Sequence, residues 1–138
     1  MSTFNLEIVA IDKVFYRGEC EYLVFESLDG EKGVMANHEP MISAVRAGEL
    51  RYTVDGKVQI AAIGDGFAEI LGDKVTLICD FAERPEDIDE MRAQRALERA
   101  QERIKAKNSE IEYIRSRAAL ARAMARLKVT NKMKKNMK

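Results

Sequence analysis

The sequence predicts an antiparallel β-sandwich or flattened barrel followed by an antiparallel hairpin of two helices. Two compositional features divide the chain in this way. All eight glycines lie in the first 72 residues. The charge changes sign nearby: 7 Lys and Arg stand against 15 Asp and Glu up to Glu83, and 16 against 8 from Arg84 onward. The zero net charge therefore conceals balances of −8 and +8, and we expect one unit at residues 1–84 and another at residues 85–138.

Alternation of apolar and polar residues predicts short β-strands in the first unit. A half-buried strand is expected around residues 4–8, and the apolar run at residues 14–27 is interrupted around Gly18. The strongest local signal is Asp55-Gly56 between two alternating segments, because this dipeptide favours the type I′ turn of a tight hairpin. A second hairpin is predicted around Gly72-Asp73.

Two capping boxes predict where the helices of the second unit begin. The first covers residues 87–90 with Asp87 as the N-cap, and the second covers residues 109–112 with Ser109 as the N-cap. A break is expected at residues 106–108, and the lysine-rich residues 131–138 are expected to form a frayed tail. Narrow apolar seams predict the faces that pack together in a hairpin: Ala93, Leu97, Ala100 and Ile104 on the first helix, and Ile111, Ile114, Ala118, Ala121 and Ala125 on the second.

Residue types typical of catalytic and metal sites are scarce. The one histidine, His38, lies beside Glu39 and Pro40 and is interpreted as a loop residue at a turn. No hydrolase, zinc-protease, phosphate-loop or dinucleotide signature is found, so we predict neither a catalytic residue nor a metal site. Cys20 and Cys79 lie in strand-like apolar runs and are expected to be buried, reduced thiols of a reducing cytosolic compartment. No secretory signal or membrane-spanning run is found, so we expect a soluble protein or one attached to a membrane only through partners.

Arginines are concentrated on the two predicted helices: Arg92, Arg95, Arg99 and Arg103 on the first, and Arg115, Arg122 and Arg126 on one face of the second. Arginine holds phosphate or carboxylate with two parallel hydrogen bonds. The cluster is consistent with a solvated face, a polyanion site, a surface for an acidic protein, or nucleic acid binding. Nucleic acid is disfavoured because no aromatic residues are interleaved with the arginines, and a membrane-lying helix is disfavoured because the seams are rich in Ala.

One loop resembles the signature of a known family. Residues 30–41 read Gly-Glu-Lys-Gly-Val-Met-Ala-Asn-His-Glu-Pro-Met, and Gly48-Glu49-Leu50 follows. This resembles the pattern Gly-x-x-Gly, four residues, His-x-Pro, then Gly-x-Leu of the epsilon subunit of F-type ATP synthases. The resemblance covers essentially the whole chain and implies a sandwich of about ten strands that binds the gamma subunit of the central stalk. It also implies a loop that contacts the ring of membrane subunits, formed by Asn37, His38, Glu39 and Pro40.

The resemblance extends to an ATP site between the helices. Bacterial relatives carry Ile/Leu-Asp-x-x-Arg-Ala there with further arginines, and this chain reads Ile-Asp-Glu-Met-Arg-Ala at residues 88–93. The implied ATP contacts are Glu83, Ile88, Asp89 and Arg92 at the base and ribose, Arg99, Arg122 and Arg126 at the phosphates, and Ala93 within the motif. No phosphate-loop lysine or metal-binding hydroxyl accompanies them, so we expect ATP to be a regulatory ligand that is not hydrolysed, with no cofactor required.

The resemblance implies a non-catalytic rotor subunit of a proton- or ion-translocating F-type ATP synthase, held peripherally at the cytoplasmic face of the bacterial plasma membrane. Its hairpin is expected to move between the sandwich and an extended position that inhibits ATP hydrolysis. In the extended position Arg115, Arg122 and Arg126 would contact the acidic surface of the catalytic alpha and beta subunits. The alternative is a stand-alone nucleotide- or polyanion-binding module.

Overall fold

The computed structural model describes residues 2–106 and 109–136, which form ten strands and two long helices. The strands are β1 Phe4–Ala10, β2 Lys13–Cys20, β3 Tyr22–Ser27, β4 Gly30–Met35, β5 His38–Val45, β6 Gly48–Val54, β7 Lys57–Ile63, β8 Gly66–Gly72, β9 Lys74–Cys79 and β10 Ala82–Glu83. A 3₁₀ turn at Pro85–Asp87 leads to α1, Glu90–Ala106, and α2, Glu110–Asn136.

The strands form two five-stranded sheets that pack as a sandwich. The first sheet has the order β2-β1-β9-β8-β5, and the second has the order β10-β7-β6-β3-β4. The ladders are antiparallel except for β1 and β9, which pair in parallel. The predicted sandwich and two-helix hairpin are confirmed, with this one parallel pair as the departure from an antiparallel arrangement.

The core of the sandwich lies between the two sheets. Its largest fully buried side chains include Leu6, Phe25, Leu50 and Leu77, which point inward because strand residues alternate between faces. All members of the buried cluster lie between Phe4 and Ala82 in the sequence, and none belongs to the helices. Cys20 and Cys79 are free and buried within it, as predicted. The sandwich therefore has a hydrophobic core that is independent of the helical hairpin.

The two predicted hairpin turns form where the sequence placed them, whereas one predicted strand interruption is misplaced. Asp55 and Gly56 both have positive φ, 52° and 76°, and connect β6 to β7 as the predicted type I′ turn requires. Gly72 has a φ of 53° at the end of β8, where the second hairpin was predicted. The predicted interruption at Gly18 is wrong, because β2 continues through it to Cys20. The break between strands comes at Glu21, three residues after Gly18.

The first helix begins two residues later than its capping box predicted. Asp87 lies in the 3₁₀ turn, and Asp89 is the cap: its Oδ1 accepts a hydrogen bond of 3.1 Å from the backbone N–H of Arg92. The cap of α2 is confirmed, because Ser109 Oγ accepts a hydrogen bond of 3.1 Å from the N–H of Glu112. Of the predicted break, residues 107–108 lie outside the described residues.

The second helix packs on two surfaces, which the single predicted seam did not anticipate. Ala93 and Ala100 of α1 are buried as expected. In α2, however, Ile111 and Ile114 are 64% and 60% exposed, and Ala121 is also exposed. The buried residues of α2 are Ser116, Ala123, Ala125, Val129 and Thr130. A helix in contact with both α1 and the second sheet has a broader buried face than a two-helix seam requires.

The predicted frayed tail is also wrong for the described residues, because α2 continues to Asn136. Lys134 Nζ lies 2.6 Å from Glu90 Oε2, which places the end of α2 beside the start of α1. The helices are therefore antiparallel. Residues 137–138 lie outside the described part of the chain. Among the described residues, no helix is both long and apolar enough to cross a bilayer.

Replacing Gly66 with Ala should destabilise the sandwich strongly. A Cβ at Gly66 would lie 1.8 Å from the carbonyl oxygen of Ile78 on the paired strand, so the backbone of β8 or β9 would have to shift. We expect the free energy of unfolding to fall by about 3 kcal/mol, at the upper end of the usual cost of overpacking. Urea unfolding followed by circular dichroism measures this change.

The matched control is Gly18→Ala, where the nearest atom is the terminal oxygen of the Tyr16 side chain at 2.8 Å. That side chain can rotate away, so the loss should be under about 1 kcal/mol. Equal losses in the two variants would contradict the prediction.

Candidate functional site

The predicted ATP contacts extend from the end of the sandwich along the two helices of the hairpin. Glu83 ends β10, Ile88 and Asp89 connect the 3₁₀ turn to α1, and Arg92 and Ala93 are in the first turn of α1. Arg99 lies in the middle of α1, and Arg122 and Arg126 lie in the middle third of α2. The eight residues thus come from three segments that the fold brings side by side.

Two of these residues form a direct ion pair. The Arg126 guanidinium donates a hydrogen bond from Nε to Glu83 Oε1, and both side chains are about 30% exposed. The same guanidinium carbon lies 4.1 Å from the centre of the Phe81 ring, within the range of a cation–π contact. Arg126 therefore fastens α2 to the last strand of the sandwich in this conformation.

The antiparallel register sets which arginines lie level with one another. Because both helices rise 1.5 Å per residue, the contact between Lys134 and Glu90 places Arg126 close to the level of Arg99. Arg122 lies about one turn nearer the connection between the helices, whereas Arg92 lies near the open end of the hairpin, where α1 begins. Among the described residues, Arg92, Arg99 and Arg122 form no ion pair. These three cations are available to an anionic ligand.

The residues predicted to contact the catalytic head differ in accessibility. Arg115 is exposed near the start of α2, while Arg122 and Arg126 are half-buried. Arg126 is also engaged by Glu83. An acidic partner could reach Arg115 directly, but it could reach Arg126 fully only if α2 left the sandwich.

The loop predicted to contact a membrane ring, Asn37 to Pro40, consists of one turn residue between β4 and β5, Asn37, followed by the first three residues of β5. Asn37 has a φ of 64°, and its N–H donates a hydrogen bond of 3.1 Å to the carbonyl of Gly72. His38 Nδ1 donates to the carbonyl of Glu39 at 2.8 Å, which fixes the ring close to its own backbone. Glu39 and Pro40 are exposed. The loop leads into an edge strand of the first sheet, whereas α2 contacts β6 and β7 of the second, so loop and ATP residues form separate sites.

A row of apolar side chains crosses the outer face of the first sheet, and sequence reasoning missed it. The strand registers place these residues side by side across all five strands: Ala44, Phe67, Ile78, Val9 and Val14. Phe67, Ile78 and Val14 are 47%, 40% and 49% exposed. The available signal was an apolar residue at outward positions of consecutive predicted strands. We call this set the apolar row.

A charge network on the opposite sheet was also missed. Glu49 is only 3% exposed although it points outward from β6, because α2 covers it. Arg51 Nη1 lies 2.7 Å from Glu49 Oε1, and Lys132 Nζ lies 3.2 Å from Oε1 and 3.0 Å from Oε2. Arg51 also donates two hydrogen bonds to Glu31 on β4, at 3.0 and 3.2 Å. The Lys132 contact was not foreseen because the tail was expected to fray.

The network keeps its carboxylates ionised. Burial alone would raise the pKa of Glu49, but hydrogen bonds from Arg51 and Lys132 outweigh it, and the pKa lies below its usual value. The Arg51 hydrogen bonds likewise lower the pKa of Glu31. At neutral pH both carboxylates therefore carry a full negative charge.

A groove of about 1040 Å³ separates part of α2 from the second sheet. Its lining includes Arg46, Gly48, Met124 and Lys128, and all eight predicted ATP contacts lie elsewhere. Glu49 also lines the groove and is paired with Lys132.

Comparison with known proteins identifies close relatives over both units. The ATP synthase Delta/Epsilon chain beta-sandwich domain matches residues 3–85, and the long alpha-helix domain of the same chain matches residues 86–131. The ATP synthase epsilon chain of Ruminiclostridium cellulolyticum is 50% identical over 112 residues, covering 81% of this chain and 84% of that one. The epsilon chain of Caldicellulosiruptor bescii is 42% identical over 107 residues, covering 78% of each.

Solved structures share the fold at lower identity. A chain of the Euglena gracilis mitochondrial ATP synthase, in a structure of OSCP, F1 and the c-ring, aligns with a TM-score of 0.78 at 21% identity, covering 100% of this chain and 83% of that one. A chain of the Tetrahymena thermophila mitochondrial ATP synthase central stalk and c-ring aligns with a TM-score of 0.56 at 8% identity, covering 96% of each.

Proposed function

The chain belongs to the delta/epsilon family of ATP synthase subunits, and from this premise we propose that it is a non-catalytic subunit of the central stalk. Its sandwich binds the rotating gamma shaft and the membrane ring, and its hairpin restrains ATP hydrolysis. The complex holds it peripherally at the cytoplasmic face of the bacterial plasma membrane.

The observation that carries this proposal is the contrast between the two outer faces of the sandwich. The hairpin covers part of the second sheet, where the outward-pointing Val24 and Ala62 are buried. The first sheet carries the apolar row, which is uncovered among the described residues. An exposed apolar strip across a whole sheet is typical of a surface that binds a protein partner. A stand-alone nucleotide-binding module has no protein partner that would cover such a strip.

The loop at the start of β5, Asn37 to Pro40, supports a second contact. Its backbone is held by the hydrogen bond from Asn37 to Gly72, and it exposes polar groups of Glu39 together with the rigid ring of Pro40. A fixed polar loop loses little conformational entropy on binding. We assign this loop, Asn37 to Pro40, to the ring of membrane subunits.

The hairpin is proposed to alternate between two positions. In the position described above, the basic hairpin rests on the acidic sandwich through Arg126 and Lys132. In the extended position the same cations, with Arg115, would contact acidic surfaces of the alpha and beta subunits and block rotation in the hydrolytic direction. Exchange between two anionic surfaces requires only that the two docking free energies be similar.

ATP is proposed to favour the docked position. Arg99, Arg122 and Arg126 come within about one helical turn of one another in the hairpin, and they would surround the phosphates while Asp89 and Arg92 contact the ribose and base. A ligand that binds only the docked form stabilises it by about 2.7 kcal/mol at a hundredfold excess over its Kd. That is enough to shift a nearly balanced equilibrium almost completely.

Replacing Phe67 with Glu should abolish binding to the gamma subunit. A carboxylate within the apolar row would be buried without a partner in the complex, so we expect affinity to fall by about a hundredfold or more. Co-purification with the gamma subunit measures this. The control is Leu28→Glu, an equally drastic change at a residue that is 70% exposed outside the row. Retention of gamma by the Phe67 variant would exclude the apolar row as the surface that binds the gamma subunit.

Isothermal titration calorimetry of the full chain with ATP tests whether the chain binds this nucleotide. We expect saturable binding at millimolar ATP or below, weakened about tenfold or more in Arg99→Ala or Arg122→Ala, since each removes a charge-assisted hydrogen bond. Arg95→Ala is the matched control, because Arg95 is an exposed arginine of α1 outside the predicted contacts. If no saturable heat is seen at millimolar ATP, the ATP site is excluded and the stalk role is unaffected.

Removing residues 85–138 should raise ATP hydrolysis by the assembled complex. The sandwich core contains no hairpin residue, so the shortened chain is expected to fold and to bind the shaft. Turnover of complexes that contain the full and shortened chains should be compared at equal stoichiometry, verified by gel. Equal turnover would contradict an inhibitory hairpin.

A further inference from the structure

Glu49 is a carboxylate buried on the outside of the sandwich rather than in its core. It lies on β6 at a position that would face solvent without α2, and its side chain is 2% exposed beneath that helix. A buried charge is tolerated only when oppositely charged groups are placed against it. The balance of charge around Glu49 therefore bears directly on whether the helix can cover it.

The sandwich alone does not balance this charge. Arg51 is shared between Glu49 and Glu31, so these three side chains together carry one net negative charge. Glu49 Oε1 accepts hydrogen bonds from Arg51 and Lys132, but Oε2 has no hydrogen-bond partner among the described residues and is contacted through the Lys132 ion pair at 3.0 Å. Lys132 of α2 thus supplies the one positive charge that is missing.

Other charged groups surround this pair without replacing Lys132. They are Glu26 on β3, Glu31 on β4, and Lys128 one turn earlier on α2. Neither Glu26 nor Lys128 forms an ion pair with a described residue. The other ion pair between sandwich and hairpin, Glu83 with Arg126, has both side chains about 30% exposed, so water can solvate each partner when the pair opens.

We propose that Glu49 and Lys132 form an electrostatic latch that sets how firmly the hairpin docks on the sandwich. The latch rests on the two-position hairpin of the proposed function and identifies the contact that controls it. With Lys132 in place, α2 covers a neutral cluster. Without it, docking buries an uncompensated carboxylate, so the helix must leave or let water in. Docking therefore depends on one lysine in the last turns of α2.

A double-mutant cycle in the full isolated chain tests the latch, with amide hydrogen exchange in residues 117–136 as the measure of docking. Lys132→Met should raise exchange there about tenfold, equivalent to ~1.4 kcal/mol. Adding Glu49→Gln to that variant should return exchange toward the wild-type rate, because the remaining pair of Glu31 and Arg51 is neutral. Rescue by a second substitution is not expected if Lys132 merely contributes to helix packing.

The matched control is Lys134→Met, which removes the same charge two residues further along but disrupts a pair within the hairpin, with Glu90. It should leave the exchange of residues 117–128 near the wild-type rate. Exchange in the sandwich strands and the far-ultraviolet circular dichroism confirm that every variant is folded. An unchanged rate in Lys132→Met, or a double variant as fast as that single variant, overturns the latch.

This outcome is separable from that of the proposed function, because exchange is measured on the isolated chain. Rescue in the cycle, together with unchanged ATP hydrolysis when the hairpin is removed from the complex, would leave the latch standing and exclude the inhibitory role. No rescue, together with faster hydrolysis on removal of the hairpin, would exclude the latch and keep the inhibitory role.

Discussion

The cost of burying charge on the outside of a β-sheet determines how the two parts of this chain fit together. Outward positions of β6 would ordinarily be solvated, yet Glu49 lies under a helix at 3% exposure. A carboxylate in that position needs matching cations, and one of them comes from the covering helix itself. The interface between sandwich and hairpin is therefore electrostatically specific, although much of the rest of it consists of small side chains such as Ala62, Ala125 and Val129.

Small side chains also explain how the hairpin can be bound without being part of the core. The cluster of buried residues between the sheets is complete without α1 and α2. The helices contribute mainly alanines, which bury little apolar area and so contribute little hydrophobic free energy. A rigid sandwich joined to a weakly held helical unit is what a stalk subunit requires if one part must stay on the shaft while the other moves.

Structural features that depend on neighbouring residues were predicted correctly from the sequence. Features that depend on contact with a second surface were not. The turn at Asp55-Gly56 needs two positive φ angles, and the cap at Ser109 needs one hydroxyl, so both could be predicted from neighbouring residues. Burial of Val129 and helical structure up to Asn136 accompany the packing of α2 against a sheet as well as a helix, which no periodicity within α2 reveals. The same holds for the candidate site. The cluster of arginines could be predicted from the sequence, whereas the ion pair of Glu49 with Lys132 could not, because it joins residues 83 positions apart.

The two proposed positions of the hairpin compete for the same side chains. Arg126 donates to Glu83 and lies over Phe81, and Lys132 neutralises Glu49, so neither can serve a distant acidic surface while the hairpin is docked. The competition makes the positions mutually exclusive without any steric block, because each cation can satisfy only one buried or half-buried partner at a time. A ligand that binds Arg126 together with Arg99 and Arg122 competes with Glu83 for the Arg126 guanidinium. Phosphates held by all three arginines would therefore stabilise the docked position by the free energy of nucleotide binding less the free energy lost when the Glu83 pair opens.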